Sequence, residues 1–87
     1  MIAIGDATVP ERVHKDWQDR VKRLLKAELS RAGVSYRELA ERLRAIGVEE
    51  NERNIANKVS RGGFTAAFFF QCMAAINCRT IHLDNDR

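Results

Sequence analysis

Histidine and cysteine occur twice each and proline once in 87 residues. Each scarcity excludes something. A structural zinc site takes about four nitrogen or sulfur ligands. Cys72 and Cys78 lack the C-x-x-C spacing, and His14 and His82 stand at opposite ends of the chain, so no metal site is expected. Cys72 lies in an apolar segment and reads as a small core residue in a reducing compartment. Cys78 reads equally as packed or exposed. The chain has no Gly-rich phosphate loop, no nucleophile motif and no acid–base pair suited to proton transfer. No enzyme activity is therefore expected, and no cofactor or small-molecule ligand is indicated. The longest apolar run, TAAFFFQCMAAI, is broken by Gln71 and is too short to span a bilayer. The opening MIAIGDATVPER carries no basic region ahead of an apolar run. It does not read as a secretory leader, and the cytoplasm is the expected location.

Apolar residues make up 45% of the chain and charged residues 31%, the balance of one small folded, helix-rich domain. The net charge is +3. Its distribution is uneven: Arg12 to Arg44 holds ten Lys/Arg against five Asp/Glu, whereas Ala45 to Gly63 balances Glu49, Glu50 and Glu52 against Arg53, Lys58 and Arg61. A positive face attracts phosphate, although a solvated helix surface has the same composition.

The apolar positions Val13, Trp17, Val21, Leu24, Leu25, Leu29 and Ala32 recur at intervals of three and four. They predict an amphipathic helix of about six turns that starts near Pro10 and stops at Gly33. Trp17 is expected as a core anchor. In VSYRELAERLRAIG, Ser35 and Glu38 have capping-box spacing, and Val34 and Leu39 that of a hydrophobic staple. A second helix thus begins at Ser35, buries Leu39, Ala40, Leu43 and Ile46, and ends at Gly47. Asn51 is the expected N-cap of a third helix, which runs to Gly62-Gly63. Phe64 and Thr65 repeat the staple-and-cap pattern, with Phe64 facing Phe69, ahead of a fourth helix from Thr65 to Ile76. The alternation in RTIHLD is that of a short half-buried strand, expected to pair with IAI near the N-terminus or with its twin in a dimer. The expected organisation is an irregular or strand-like arm over 1–10, a helical domain over 11–77, and a short strand and tail over 78–87.

The third helix poses the functional question. In ENERNIANKVSRGGFT only Ile55 and Val59 mark an apolar side. At 100° per residue, Arg53, Asn54, Asn57 and Arg61 fall together on the opposite side, with Lys58 at its edge. Guanidinium and carboxamide groups read guanine and adenine edges in a DNA major groove. The fourth helix is apolar nearly all round, more than one small core absorbs. A homodimer interface over Phe68, Phe70, Ile81 and Leu83 is therefore expected.

The stretch SYRELAERL…NERNIANKVSRGGFTAAFFFQCMAAI resembles the lambda-repressor-like helix-turn-helix domains. Leu39-Ala40, Ile55, Gly62 and the Phe68–Ile76 helix fall in that family's order. From Trp17 to Leu83 the chain also resembles a small bacterial family of uncharacterised domains. The first resemblance implies a helix-turn-helix domain, so that with the strand read above the expected fold is all-α, four-helix, helix-turn-helix with a possible short C-terminal strand. It implies a sequence-specific regulator that binds double-stranded DNA. Ser35, Tyr36 and Arg37 would meet phosphate, and Arg53, Asn54, Asn57, Lys58 and Arg61 would lie on the recognition helix. The chain departs from the pattern in two ways. Ala40 to Ile55 is about five residues longer than the family spacing, and the acidic VEENE lies where a recognition helix approaches phosphates. The alternative reading keeps the scaffold as a protein-interaction module without DNA binding.

Overall fold

The ends of four helices are set by local chemistry that the sequence displays, and the chain between them has little slack. In a computed structural model, which describes residues 10–83, the elements are α1 (Glu11–Ala32), α2 (Tyr36–Ala45), α3 (Glu52–Arg61) and α4 (Ala66–Ala75). Pro10 opens α1, its carbonyl accepting from the N–H groups of Val13 and His14 at 3.0 Å. Gly33, at φ 70°, turns the chain out of α1, and Val34 N–H returns to Leu29 O at 2.9 Å. This is the Schellman closure that favours glycine. Ser35 then caps α2, its Oγ accepting from Glu38 N–H at 3.1 Å. The reciprocal half of the expected capping box is replaced by an ion pair, because the Glu38 carboxylate meets Arg42 at 2.9 Å.

The same construction recurs twice. Gly47 carries φ 89° and Val48 N–H bonds Leu43 O at 2.9 Å. After α4, Asn77 takes φ 62° and Cys78 N–H bonds Met73 O at 2.8 Å. Each closure brings a small apolar residue, Val34, Val48 or Cys78, back onto the core. Asn51 caps α3 by accepting from Asn54 N–H at 2.8 Å, and Thr65 caps α4 by accepting from Phe68 N–H at 3.0 Å. Phe64 lies parallel to Phe69, ring centroids 6.4 Å apart.

α2 packs against both α3 and α4, and α1 against α3. Leu25, Leu39, Leu43, Ile55, Val59 and Cys72 fill the centre, where each large side chain contributes about 1.5–3 kcal/mol. The end of α3 approaches α1 closely. A Cβ on Gly62 would stand 2.8 Å from the Gln18 carbonyl oxygen, and Gly62 is left-handed at φ 70°. Both facts require glycine there.

Three sequence expectations need correction. Trp17 is 54% exposed. α1 outruns the core: its buried residues are Leu24, Leu25, Glu28 and Leu29, all in its second half. Arg20 lies over the Trp17 ring at 4.5 Å instead. Ile46 is 51% exposed, because α2 ends at Ala45 and the closure at Gly47 gives the inward place to Val48. The C-terminal strand is absent among the described residues. Ile81 packs against the core, and its proposed partner at residues 2–4 lies outside the described residues, as does the arm over 1–9. No described helix is long and apolar enough to cross a membrane.

Candidate functional site

The polar face of α3 is built on two buried side chains. Ile55 and Val59, at 0% and 1% exposure, fix the helix to the core. Helical geometry then turns Arg53, Asn54, Asn57 and Arg61 outward, and all four are exposed. The side chains of Arg53, Asn57 and Arg61 make no hydrogen bond or ion pair among the described residues. Asn54 contributes only its backbone N–H, to the Asn51 cap. Several cations of α1 and α2 are engaged. Lys15 meets Asp19 at 3.8 Å, Arg31 meets Glu28 at 2.8 Å, and Arg42 meets Glu38 at 2.9 Å. Lys22 Nζ donates to Ser60 O at 3.1 Å, tying α1 to the end of α3.

Lys58 sits differently. Its ammonium pairs with the Glu50 carboxylate and stands 4.6 Å over the Phe68 ring. The Glu50 side chain is only 5% exposed. One of its oxygens, Oε1, is buried without a hydrogen-bond partner. Arg44 donates to the backbone carbonyl of Glu50 at 2.8 Å, which fastens the turn between α2 and α3. Of the three acids before and at the start of α3, Glu50 therefore points inward, whereas Glu49 and Glu52 remain exposed. Lys58 belongs to the interior of the site more than to its open face. Cys72, fully buried in the core, has its thiol pushed up to about 12, first by burial and then by the nearby negative charge of Glu50, with Lys58 opposing. At neutral pH it is a protonated core side chain.

At the start of α2, Arg37 is exposed and unpaired among the described residues. Ser35 is exposed but its oxygen is engaged in the cap. Tyr36 is half-buried against the core, which raises the pKa of its hydroxyl. The four residues expected at a dimer interface separate. Phe68 is 4% exposed and fills the core of its own chain, so its ring is not free for a partner. Phe70 is 62% exposed, Ile81 half-buried and Leu83 67% exposed. Among the described residues no three His, Cys, Asp or Glu side chains stand close enough to hold a metal ion.

The sequence reading missed two relationships at this site. Lys22 reaches Ser60 across 38 positions, and no local pattern signals that. The inward turn of Glu50 did have a signal. It occupies the position just before the Asn51 N-cap, where a side chain faces the same way as the fourth helical residue, here the buried Ile55.

The chain belongs to the family described as Domain of unknown function (DUF6471), which matches residues 17–81. No curated protein and no solved structure matches the chain.

Proposed function

We propose that this protein binds double-stranded DNA through the exposed face of α3, as a small helix-turn-helix regulator of the lambda-repressor-like kind. One observation carries the reading. Arg53, Asn54, Asn57 and Arg61 project from one helix face with side-chain donors and acceptors unused, while Lys22, Arg44 and Lys58 around them are engaged. Arg presents two donors to a guanine edge, and Asn a donor and an acceptor to adenine. On this reading Asn57 and Arg61 specify bases, Arg53 and Asn54 flank them, and Arg37 with Ser35 and Tyr36 meets phosphate from the start of α2. The inward turn of Glu50 supports the reading, since it withdraws one anion from the approach of a phosphate backbone. The test is a titration of the chain against random-sequence duplex at two salt concentrations, followed by selection from a duplex library. Affinity that falls steeply with salt and a selected site rich in guanine and adenine are expected. Absence of salt-dependent binding at low ionic strength overturns the reading.

A second reading has its own support. Exposed Trp17 and Phe70, at 54% and 62%, suit a protein-interaction module that keeps the same scaffold. It takes first place if the DNA titration is flat.

A further inference from the structure

Four large apolar side chains are exposed among the described residues: Trp17, Ile46, Phe70 and Leu83. Three of them are joined. Leu83 and Trp17, with Arg20 over the Trp17 ring, wall a groove of about 170 Å³ that Val21 and Leu24 also line. Trp17 and Phe64 line a second, larger concavity of about 380 Å³ with Gly62 and Gly63, rimmed by His14 and Gln18. Phe64 stacks on Phe69, and Phe69 meets Phe70 edge-on at 6.0 Å. Trp17 and Val21 thus join the two hollows, and Phe70, packed on the buried Phe69, extends this mainly apolar band to the exposed face of α4.

We propose that this band is the interface between two copies of this chain, with Phe70 of each copy entering the Trp17–Phe64 concavity of the other. Three observations select a second copy as the occupant. The first is charge. The chain carries +3, so two copies meet with least repulsion where cations are sparse: Arg20 lies over the Trp17 ring at one end of the band, and the α4 end carries no charge. α4, AAFFFQCMAA, has no ionisable side chain except the buried Cys72, and Ala66, Ala67 and Ala74 are exposed beside Phe70. The α4 end therefore gives an oppositely charged partner nothing to hold. The second is shape. A two-fold interface needs a surface that carries both a projection and its receptacle. Phe70 projects, and the concavity stands on the same band. The third is area. Trp17, Phe70 and Leu83 leave roughly 350 Å² open, as much as the largest apolar patch of an ordinary monomer. That is close to half of the ~800 Å² each partner contributes to a standard interface. Half-buried Phe64 and the three alanines add to it.

The interface does not rest on the DNA reading, and its test uses no nucleic acid. Trp17 is the only tryptophan, so its emission reports the band directly. Sedimentation equilibrium of the unmodified chain should give twice the monomer mass at micromolar concentration. Trp17 emission should move to the blue over the same concentration range. Phe70→Asp, on a different helix, should weaken association at least about 30-fold and hold Trp17 emission at its dilute value. Ile46→Asp, outside the band, should change neither. Circular dichroism checks that the variants keep their helices, and the dilution series of the unmodified chain stands independently of any variant. Three results would overturn the proposal: a monomer at every concentration, a dimer in which Trp17 emission never moves, or a Phe70→Asp dimer of unchanged strength.

Discussion

The ammonium of Lys58 is held between the buried carboxylate of Glu50 and the face of the Phe68 ring. One contact joins the loop before α3, the edge of α3 and the start of α4. The pair is asymmetric. The Lys58 side chain keeps 38% of its surface in solvent, whereas that of Glu50 keeps 5%. The two partners therefore respond differently to removal.

Lys58→Ala strands a carboxylate that already has one oxygen without a partner. The expected loss is about 3 kcal/mol, at the lower end for breaking a buried pair. Glu50→Leu combined with Lys58→Met removes both charges and should cost less than Lys58→Ala alone. Urea unfolding of the two variants checks the order. A Lys58→Ala protein as stable as wild type would show that Glu50 is solvated.

Gly62 and Gly33 share φ 70° but differ in surroundings: a Cβ at Gly33 meets nothing within 4 Å, and one at Gly62 meets the Gln18 carbonyl. Gly33→Ala should cost about 1 kcal/mol, the strain of a left-handed side chain alone. Gly62→Ala should cost at least twice that, because α3 must move away from α1 backbone. Equal losses in thermal unfolding would remove the close approach.

On the DNA reading, the residues of the site divide by role. Asn57→Ala and Arg61→Ala should each cost about 1–3 kcal/mol on a selected site and relax the choice of base. Arg37→Ala should weaken binding to every sequence and flatten the salt dependence by about one charge. Glu49→Gln should strengthen binding to random duplex, because Glu49 is exposed. Glu50→Gln should not, because its carboxylate faces inward. Titrations at two salt concentrations separate the four effects.

Burial raises the Cys72 thiol from 9.0 to about 12. Between those values the unfolded chain releases the proton and the folded chain keeps it. The unfolded state then binds fewer protons, so stability falls as pH rises, by up to about 1.4 kcal/mol per pH unit from this group. Stability is fully present below pH 9. Cys72→Val should flatten the decline measured by urea unfolding between pH 8 and pH 11. The raised Tyr36 hydroxyl contributes with the same sign and remains in the variant.

The legible part of this fold was local. Ser35, Asn51 and Thr65 announce helix starts because a short polar side chain competes for a free backbone N–H. Gly33 and Gly47 announce stops because they tolerate positive φ. Ile55 and Val59 mark the inner side of α3 because little else on that helix is apolar. What periodicity could not give was how far the core extends. Trp17 keeps the apolar rhythm of α1 but sits beyond the last helix that could cover it. Phe68 and Phe70 share one apolar helix, and only the packing of α4 decides which ring goes inside. Among the candidate base-reading residues, the outward set on α3 was legible from angle alone. The withdrawal of Lys58 was not, because its partner Glu50 lies outside the helix on the preceding turn.

No residue of α1 before Leu24 is fully buried, and its first half meets the rest of the protein chiefly around Gly62 and Phe64. In exchange with heavy water, α1 should therefore behave as two segments in one continuous helix. Amides from Leu24 to Leu29 should open only when the whole domain unfolds, and those near the start should open by fraying, at far lower free energy. A ligand or second copy seated against Trp17 would slow only the early amides. The less buried half of α1 thus makes this helix a built-in recorder of which surface a partner occupies.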